Sequence, residues 1–184
     1  MIETENTPNP DTLKFLPGKT VSEIGPVEFL KGDNTTKVSL AKKILLLEGT
    51  TMVFFGKDFI TVKKEKDLNW KDLKHGIISE INDYYSNGNE VVIKKDVEKF
   101  SSTNKTIESN EIINKINEVL DTKVRPAVAK DGGDITFKSF KDGVVTVELK
   151  GSCSGCPSSV MTLKQGVQNL LCHYIPEVKS VEAS

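Results

Sequence analysis

The chain has 184 residues, 37% of them hydrophobic, and a formal net charge of -1. That length suits one large core or two small ones, and the balanced charge carries none of the bulk positive field that a nucleic-acid partner calls for. No apolar stretch approaches the roughly 20 residues of a membrane-spanning helix, and Met1-Ile2-Glu3-Thr4 lacks the basic and apolar regions of a signal peptide, so the expectation is a soluble protein in a reducing compartment.

Taken in order, Thr7-Pro8-Asn9-Pro10-Asp11 is turn chemistry, and Thr12-Leu13-Lys14-Phe15-Leu16 alternates as a strand before stopping at Pro17-Gly18. Val27-Glu28-Phe29 reads as a second short strand. Ser39 is placed to cap a helix running through Glu48, with Leu40, Ile44, Leu45 and Leu47 inward, Lys42 and Lys43 outward, and Gly49 at its end. Thr51 to Phe55 and Phe59 to Lys63 form a hairpin around Gly56-Lys57-Asp58. Asn69 then caps a helix with Trp70, Leu73, Ile77, Ile78, Ile81, Tyr84 and Tyr85 on one face. About four strands and two helices make one small domain over residues 1–96.

From Ser86 to Asn110 polar residues dominate, Val91-Val92-Ile93 being the only apolar cluster, which places a linker over 97–108. A second domain over 109–184 begins with a helix capped by Ser109 or Asn110, carrying Ile112, Ile113, Ile116, Val119 and Leu120 inward and leading to Val124-Arg125-Pro126-Ala127-Val128. Asp131-Gly132-Gly133-Asp134 is a sharp turn, in which both glycines serve the backbone. A hairpin around Asp142-Gly143 joins Ile135–Ser139 to Val145–Leu149. A long helix then runs to about Tyr174, and a last short strand covers Val178 to Val181. The predicted class is α/β (α+β): two small domains, each a small sheet packed by two helices, joined by a polar linker.

The candidate site is the stretch between that second strand and the long helix, Lys150-Gly151-Ser152-Cys153-Ser154-Gly155-Cys156-Pro157-Ser158-Ser159. It places a C-x-x-C pair on a loop ending at a helix N-terminus, where the macrodipole and unpaired N–H groups favour the thiolate that binds metals and attacks disulfides. Pro157 suits the first helical turn, where its missing N–H costs nothing. Three cysteines are an odd count for a disulfide framework, which points to redox or metal chemistry instead.

Zinc and iron–sulfur sites ordinarily need about four ligands. Cys172 lies 16 residues beyond Cys156 on the helix, roughly 24 Å away at about 1.5 Å per residue, so it is read as an incidental thiol on the helix flank. His75 and His173 are the only histidines, and neither is well placed as a ligand. The missing thiolates then come most simply from a second copy of the chain, with a two-fold axis supplying Cys153 and Cys156 twice. Three readings stay open on residues alone: an exposed cluster bridging two chains, a thiol–disulfide oxidoreductase, and a zinc-bridged structural dimer. The small residues Gly151, Ser152, Ser154, Gly155, Ser158 and Ser159 keep bulk away and offer donors to cluster sulfur, which suits an exposed cluster. Lys150 and Lys164 are read as solvated.

These residues also resemble a known family. Arg125-Pro126, Asp131-Gly132-Gly133-Asp134-Ile135, Asp142-Gly143-Val144-Val145, the cysteine stretch, Thr162-Leu163-Lys164 and Ile175-Pro176-Glu177-Val178 together resemble the NifU C-terminal (Nfu) domain. Thr7-Pro8-Asn9-Pro10-Asp11-Thr12-Leu13-Lys14-Phe15, Phe54-Phe55-Gly56 and Asp58-Phe59-Ile60-Thr61-Val62 look like the N-terminal domain of two-domain Nfu proteins. The resemblance implies a scaffold or carrier, not an enzyme, holding a [4Fe–4S] cluster between two subunits with Cys153 and Cys156 as ligands. It implies a homodimer when loaded and a monomer when apo. Its partners would be upstream assembly proteins and apo acceptors, with no nucleic acid and no membrane, in a bacterial cytoplasm or, alternatively, a mitochondrial matrix. The upstream cysteines of NifU proper are absent, and no motif of the first domain carries chemistry, which leaves that domain as an interaction or positioning module.

Overall fold

The computed structural model describes residues 1–95, 111–155 and 157–184, with the backbone course alone for 157–159. The chain divides into two compact units, Met1–Ser101 and Ser102–Ser184. The stretch read as a linker, 97–108, and the caps Ser109 and Asn110 lie outside the described residues. Among the described residues no helix is long and apolar enough to cross a membrane.

The first unit contains strands β1 (Glu3–Asn6), β2 (Thr12–Leu16) and β3 (Val27–Leu30), helix α1 (Ser39–Leu46), strands β4 (Thr50–Phe55) and β5 (Ile60–Lys64), and helix α2 (Trp70–Ser86). They form a five-stranded sheet in the order β1-β2-β5-β4-β3 with every pairing antiparallel. One set of alternating side chains, Leu13, Phe15, Phe29, Val53, Phe55, Ile60 and Val62, meets Leu40, Ala41, Ile44 and Leu45 of α1 and Ile77 and Ile81 of α2 in a single core. This is the period of 2 meeting the period of 3.6 across a sheet-helix interface.

Two details depart from the expected pattern. β1 is a strand despite the polar sequence Glu3-Thr4-Glu5-Asn6: it is an edge, it pairs with β2, and Glu5 sits opposite Lys14 with a 3.1 Å ion pair. An edge strand needs only one bonded partner and is commonly charged, so apolar alternation is no guide to it. Ser39 is the first residue of α1 and not its cap; Val38, packed into the core at 1% exposure, holds the cap position, where its hydrocarbon side chain can make no capping bond. Val92 and Ile93, inside the domain expected over 1–96, belong to this unit's core, tied to Val21 O by both their N–H groups. The cap on α2 is as expected, with Asn69 accepting the Lys71 N–H at 3.1 Å.

The second unit contains α3 (Glu111–Val119), a π-helical turn (Leu120–Val124), α4 (Arg125–Lys130), β6 (Gly133–Lys141), β7 (Val144–Gly151), α5 (Pro157–Tyr174) and β8 (Ser180–Ala183). The sheet order is β6-β7-β8, antiparallel between the first two and parallel between the last two. Val145, Val147 and Leu149 of β7 alternate into a core with Ile116, Leu120, Val128, Val167, Leu171 and Val181. The β6–β7 turn places Asp142 and Gly143 at φ of 52° and 81°, the pair of positive values that a two-residue hairpin loop requires.

Here too the expectation is modified. The segment Val124 to Val128 continues the helical path. The π turn sends the Arg125 N–H to Leu120 O, and Pro126, lacking an N–H, enters the first turn of α4 where none is needed. The last strand starts at Ser180, later than the expected Val178, because the Val178 N–H bonds back to Ile175 O in the turn that leaves α5.

Candidate functional site

β7 ends at Gly151 in a left-handed conformation, φ 69°, and the chain turns through Ser152 to Gly155, itself at φ 73°, before α5 begins at Pro157. The turn is tightened by Ser154, whose N–H and Oγ both donate to Gly151 O at 3.2 and 2.9 Å. Side chains other than glycine pay a steric penalty at positive φ, so Gly151 and Gly155 bracket the cysteine turn for a backbone reason.

Cys153 occupies this turn but is not exposed as anticipated: it is 6% exposed and belongs to the second unit's core cluster. The cause is Gly133. A Cβ on that residue would lie 2.7 Å from Cys153 Sγ and 2.7 Å from Lys150 O, so the missing side chain is the space the thiol fills. Gly133 is the first residue of β6, paired with Gly151, and it is Gly132, at φ 80°, that provides the turn. The two glycines therefore have different tasks.

Ser152 and Ser154 use their hydroxyls within and beside the turn, and Ser152 Oγ also lies 3.9 Å from Cys153 Sγ. Ser152 Oγ donates to Asp131 O, and the Ser152 N–H donates to Gly132 O at 3.2 Å. The cysteine turn is thus tied to the neighbouring Asp131–Asp134 turn. That turn is in turn held by an ion pair that pattern reading missed. Arg125 Nε and Nη2 donate to Asp134 Oδ1 and Oδ2 at 2.9 and 3.1 Å, and Nη1 donates to Asp121 Oδ1 at 3.0 Å. Asp134 is 4% exposed. Bonding to Asp134, only partly opposed by burial, pushes the Arg125 guanidinium above its already high value, so Arg125 stays charged at any working pH.

Cys156 lies outside the described residues, as do the side chains of Ser158 and Ser159. Cys172 is half-buried against the second core, and His75 and His173 are exposed on helix surfaces. Lys150 and Lys164 are half-buried rather than fully solvated. Among the described residues no group of three or more His, Cys, Asp or Glu side chains converges as a metal site.

A two-unit α+β protein with a cysteine turn between strand and helix is the class these observations define. Comparison narrows it. The family model described as "NifU-like domain" matches residues 116–182, and that described as "Scaffold protein Nfu/NifU N terminal" matches residues 2–88. A human protein named as a mitochondrial NFU1 iron–sulfur cluster scaffold homolog is 45% identical over 182 residues, covering 98% of this chain and 70% of its own. NifU-like protein 4 of Arabidopsis thaliana, also named as mitochondrial, is 42% identical over 98% of this chain. The chain spans 65% of that plant protein's length. A solution structure of a NifU-like protein from Saccharomyces cerevisiae aligns with 27% identity and a TM-score of 0.48, over 52% of this chain and 85% of that one. The chain belongs to the two-domain Nfu family.

Proposed function

We propose that this protein is an iron–sulfur cluster scaffold and carrier that receives a [4Fe–4S] cluster as cargo between two copies of the chain and hands it to apo-proteins. The observation that carries this reading is the C-x-x-C sequence Cys153-Ser154-Gly155-Cys156, lying within the span matched by the NifU-like domain. The names of the human and plant relatives support the cargo class. Their mitochondrial designation favours the mitochondrial matrix over a bacterial cytoplasm.

The donor set argues for bridging. The chain has three cysteines, and Cys172 is far down α5 from the turn. Two thiolates per chain against about four per cluster are satisfied by a two-fold pair of turns. Release then needs no redox step: acceptor thiolates replace those of Cys153 and Cys156 one at a time, each iron keeping its ligand count. Only iron–thiolate bonds are exchanged and the cluster itself is passed on unchanged, so the protein acts as a carrier and not as an enzyme. The first unit serves as the positioning or docking module, and residues 1–96 and 109–184 act as separate domains joined through 97–108.

Anaerobic reconstitution with iron and sulfide, followed by mixing with an apo-enzyme of the [4Fe–4S] class, tests the proposal. The expected result is a brown protein that loses its visible absorption as the acceptor gains activity. A colourless protein that instead reduces disulfides through Cys153 and Cys156 would replace the carrier with an oxidoreductase.

A further inference from the structure

Cys153 is held by more than its own turn. Ser152, its neighbour, is bonded through Oγ to Asp131 O and through N–H to Gly132 O, and the thiol rests against Gly133. All three contacts fall on the Asp131–Asp134 turn. That turn is fixed at its far end by Asp134, a buried carboxylate whose two oxygens both bond to Arg125 at 2.9 and 3.1 Å. Arg125 itself is anchored: its N–H closes the π turn onto Leu120 O, and its third nitrogen reaches Asp121 at 3.0 Å. A continuous path of charge-assisted and backbone bonds therefore runs from α4 through the glycine turn to the cysteine.

We infer that Arg125 is the positioning residue of the cysteine turn: by clamping Asp134 it presses the Asp131–Asp134 turn onto Ser152 and Cys153 and keeps the thiol buried until the turn is released. The inference rests, for its functional meaning, on Cys153 being a cluster ligand. Cys153 as a whole residue is 6% exposed, too little to meet an iron held between two chains, so loading requires the turn to open, and the clamp sets how readily it does. The planar guanidinium is the side chain that can engage both carboxylate oxygens at once; an ammonium would bind as a point charge and leave one oxygen unmatched. Arg125 is also the only arginine in a chain rich in lysine, as expected where a fork and not merely a charge is required.

The test is peptide-resolved alkylation of the full-length apo chain with iodoacetamide under reducing conditions, reading Cys153 against Cys172. Cys172 packs against the same core but lies far along α5, so it serves as the internal reference for general loosening. Arg125→Lys and Asp134→Asn are expected to raise the Cys153-to-Cys172 rate ratio about tenfold or more, the factor that follows from losing one hydrogen bond to a charged group. Val181→Ala, a core truncation on β8 away from the turn, provides the control for a merely destabilised unit and should leave the ratio unchanged. If Arg125→Lys and Asp134→Asn give the same ratio as Val181→Ala, the clamp is only structural and the inference is overturned. Failure of the wild-type chain to take up a cluster would instead sink the ligand reading, and would leave the alkylation ratio where it was.

Discussion

Gly133→Ala is the sharpest perturbation the structure offers, because a single methyl group must enter space held by the thiol. The added Cβ would stand 2.7 Å from Cys153 Sγ, 2.7 Å from Lys150 O and 3.2 Å from Cys153 Cβ. A thiol can rotate away, but Lys150 O belongs to the backbone of β7, in register with Asp134, and cannot move without disturbing the β6–β7 ladder. Overpacking of this kind costs about 1–3 kcal/mol. Gly133 is not among the positive-φ glycines, so alanine meets no backbone strain and recovers about 0.4–1 kcal/mol by restricting the unfolded chain. The net expectation is a loss of about 1–2 kcal/mol from the second unit, or a fall of roughly 5–10 °C in its melting temperature. The assay separates the units conveniently. Trp70, the only tryptophan, lies in the first unit, so its fluorescence transition should stay in place while the circular-dichroism transition of the second unit moves down. A variant that melts at or above the parent temperature, or one in which the Trp70 transition moves instead, would refute the packing argument.

Three further outcomes can be checked. Cys153→Ser or Cys156→Ser should abolish cluster uptake with circular dichroism retained, whereas Cys172→Ser should load normally; iron and sulfide analysis after anaerobic reconstitution distinguishes them. Asn69→Ala removes the acceptor for the Lys71 N–H at the start of α2 and should destabilise the first unit by about 0.5–2 kcal/mol, read by urea titration of Trp70 fluorescence. In that unit burial, with the neighbouring Tyr84 adding to it, pushes the Tyr85 hydroxyl up to about 12 from 10.0. The phenol then ionises later in the folded than in the unfolded chain. Its contribution to stability is whole below pH 10 and is lost as pH rises toward about 12. Alkaline unfolding followed by Trp70 fluorescence should lose part of its steepness in this window when Tyr85→Phe is made. An unchanged curve would show that Tyr85 titrates normally.

Most of the framework was readable because the two periodicities are strong. Val145 to Leu149 alternate so cleanly that burial follows sequence parity, the apolar alternation of Thr12 to Leu16 marks a strand whose first four residues are all buried, and Ile77 and Ile81 mark the inward line of α2 at helical spacing. What escaped reading had other causes. β1 is polar because an edge needs no second partner, and the π turn at Leu120–Val124 leaves no compositional trace beyond a proline that already suits a helix start. Val38 holds the α1 cap position because tertiary burial outweighed the local preference for a hydroxyl cap at Ser39.

At the candidate site, spacing and flanking small residues located the cysteine turn, but not the burial of its first thiol. That burial depends on Gly133, brought to the thiol by strand pairing across the hairpin, a contact that no local window contains. The clamp was similarly out of reach, since Arg125 and Asp134 meet across a helix end and a turn. Its compositional trace was a lone arginine in a chain rich in lysine, matched in the structure to a bidentate carboxylate.

The central claim is that one chain supplies half a site. Sedimentation of the protein after anaerobic reconstitution, with iron and sulfide counted on the same sample, tests it most directly. The account predicts that apo-protein sediments as a monomer and that loading converts it to a dimer with one [4Fe–4S] cluster per two chains. A monomer carrying a full complement of iron and sulfide would contradict the bridging site, and a colourless dimer with one zinc per pair would replace the carrier with a structural dimer.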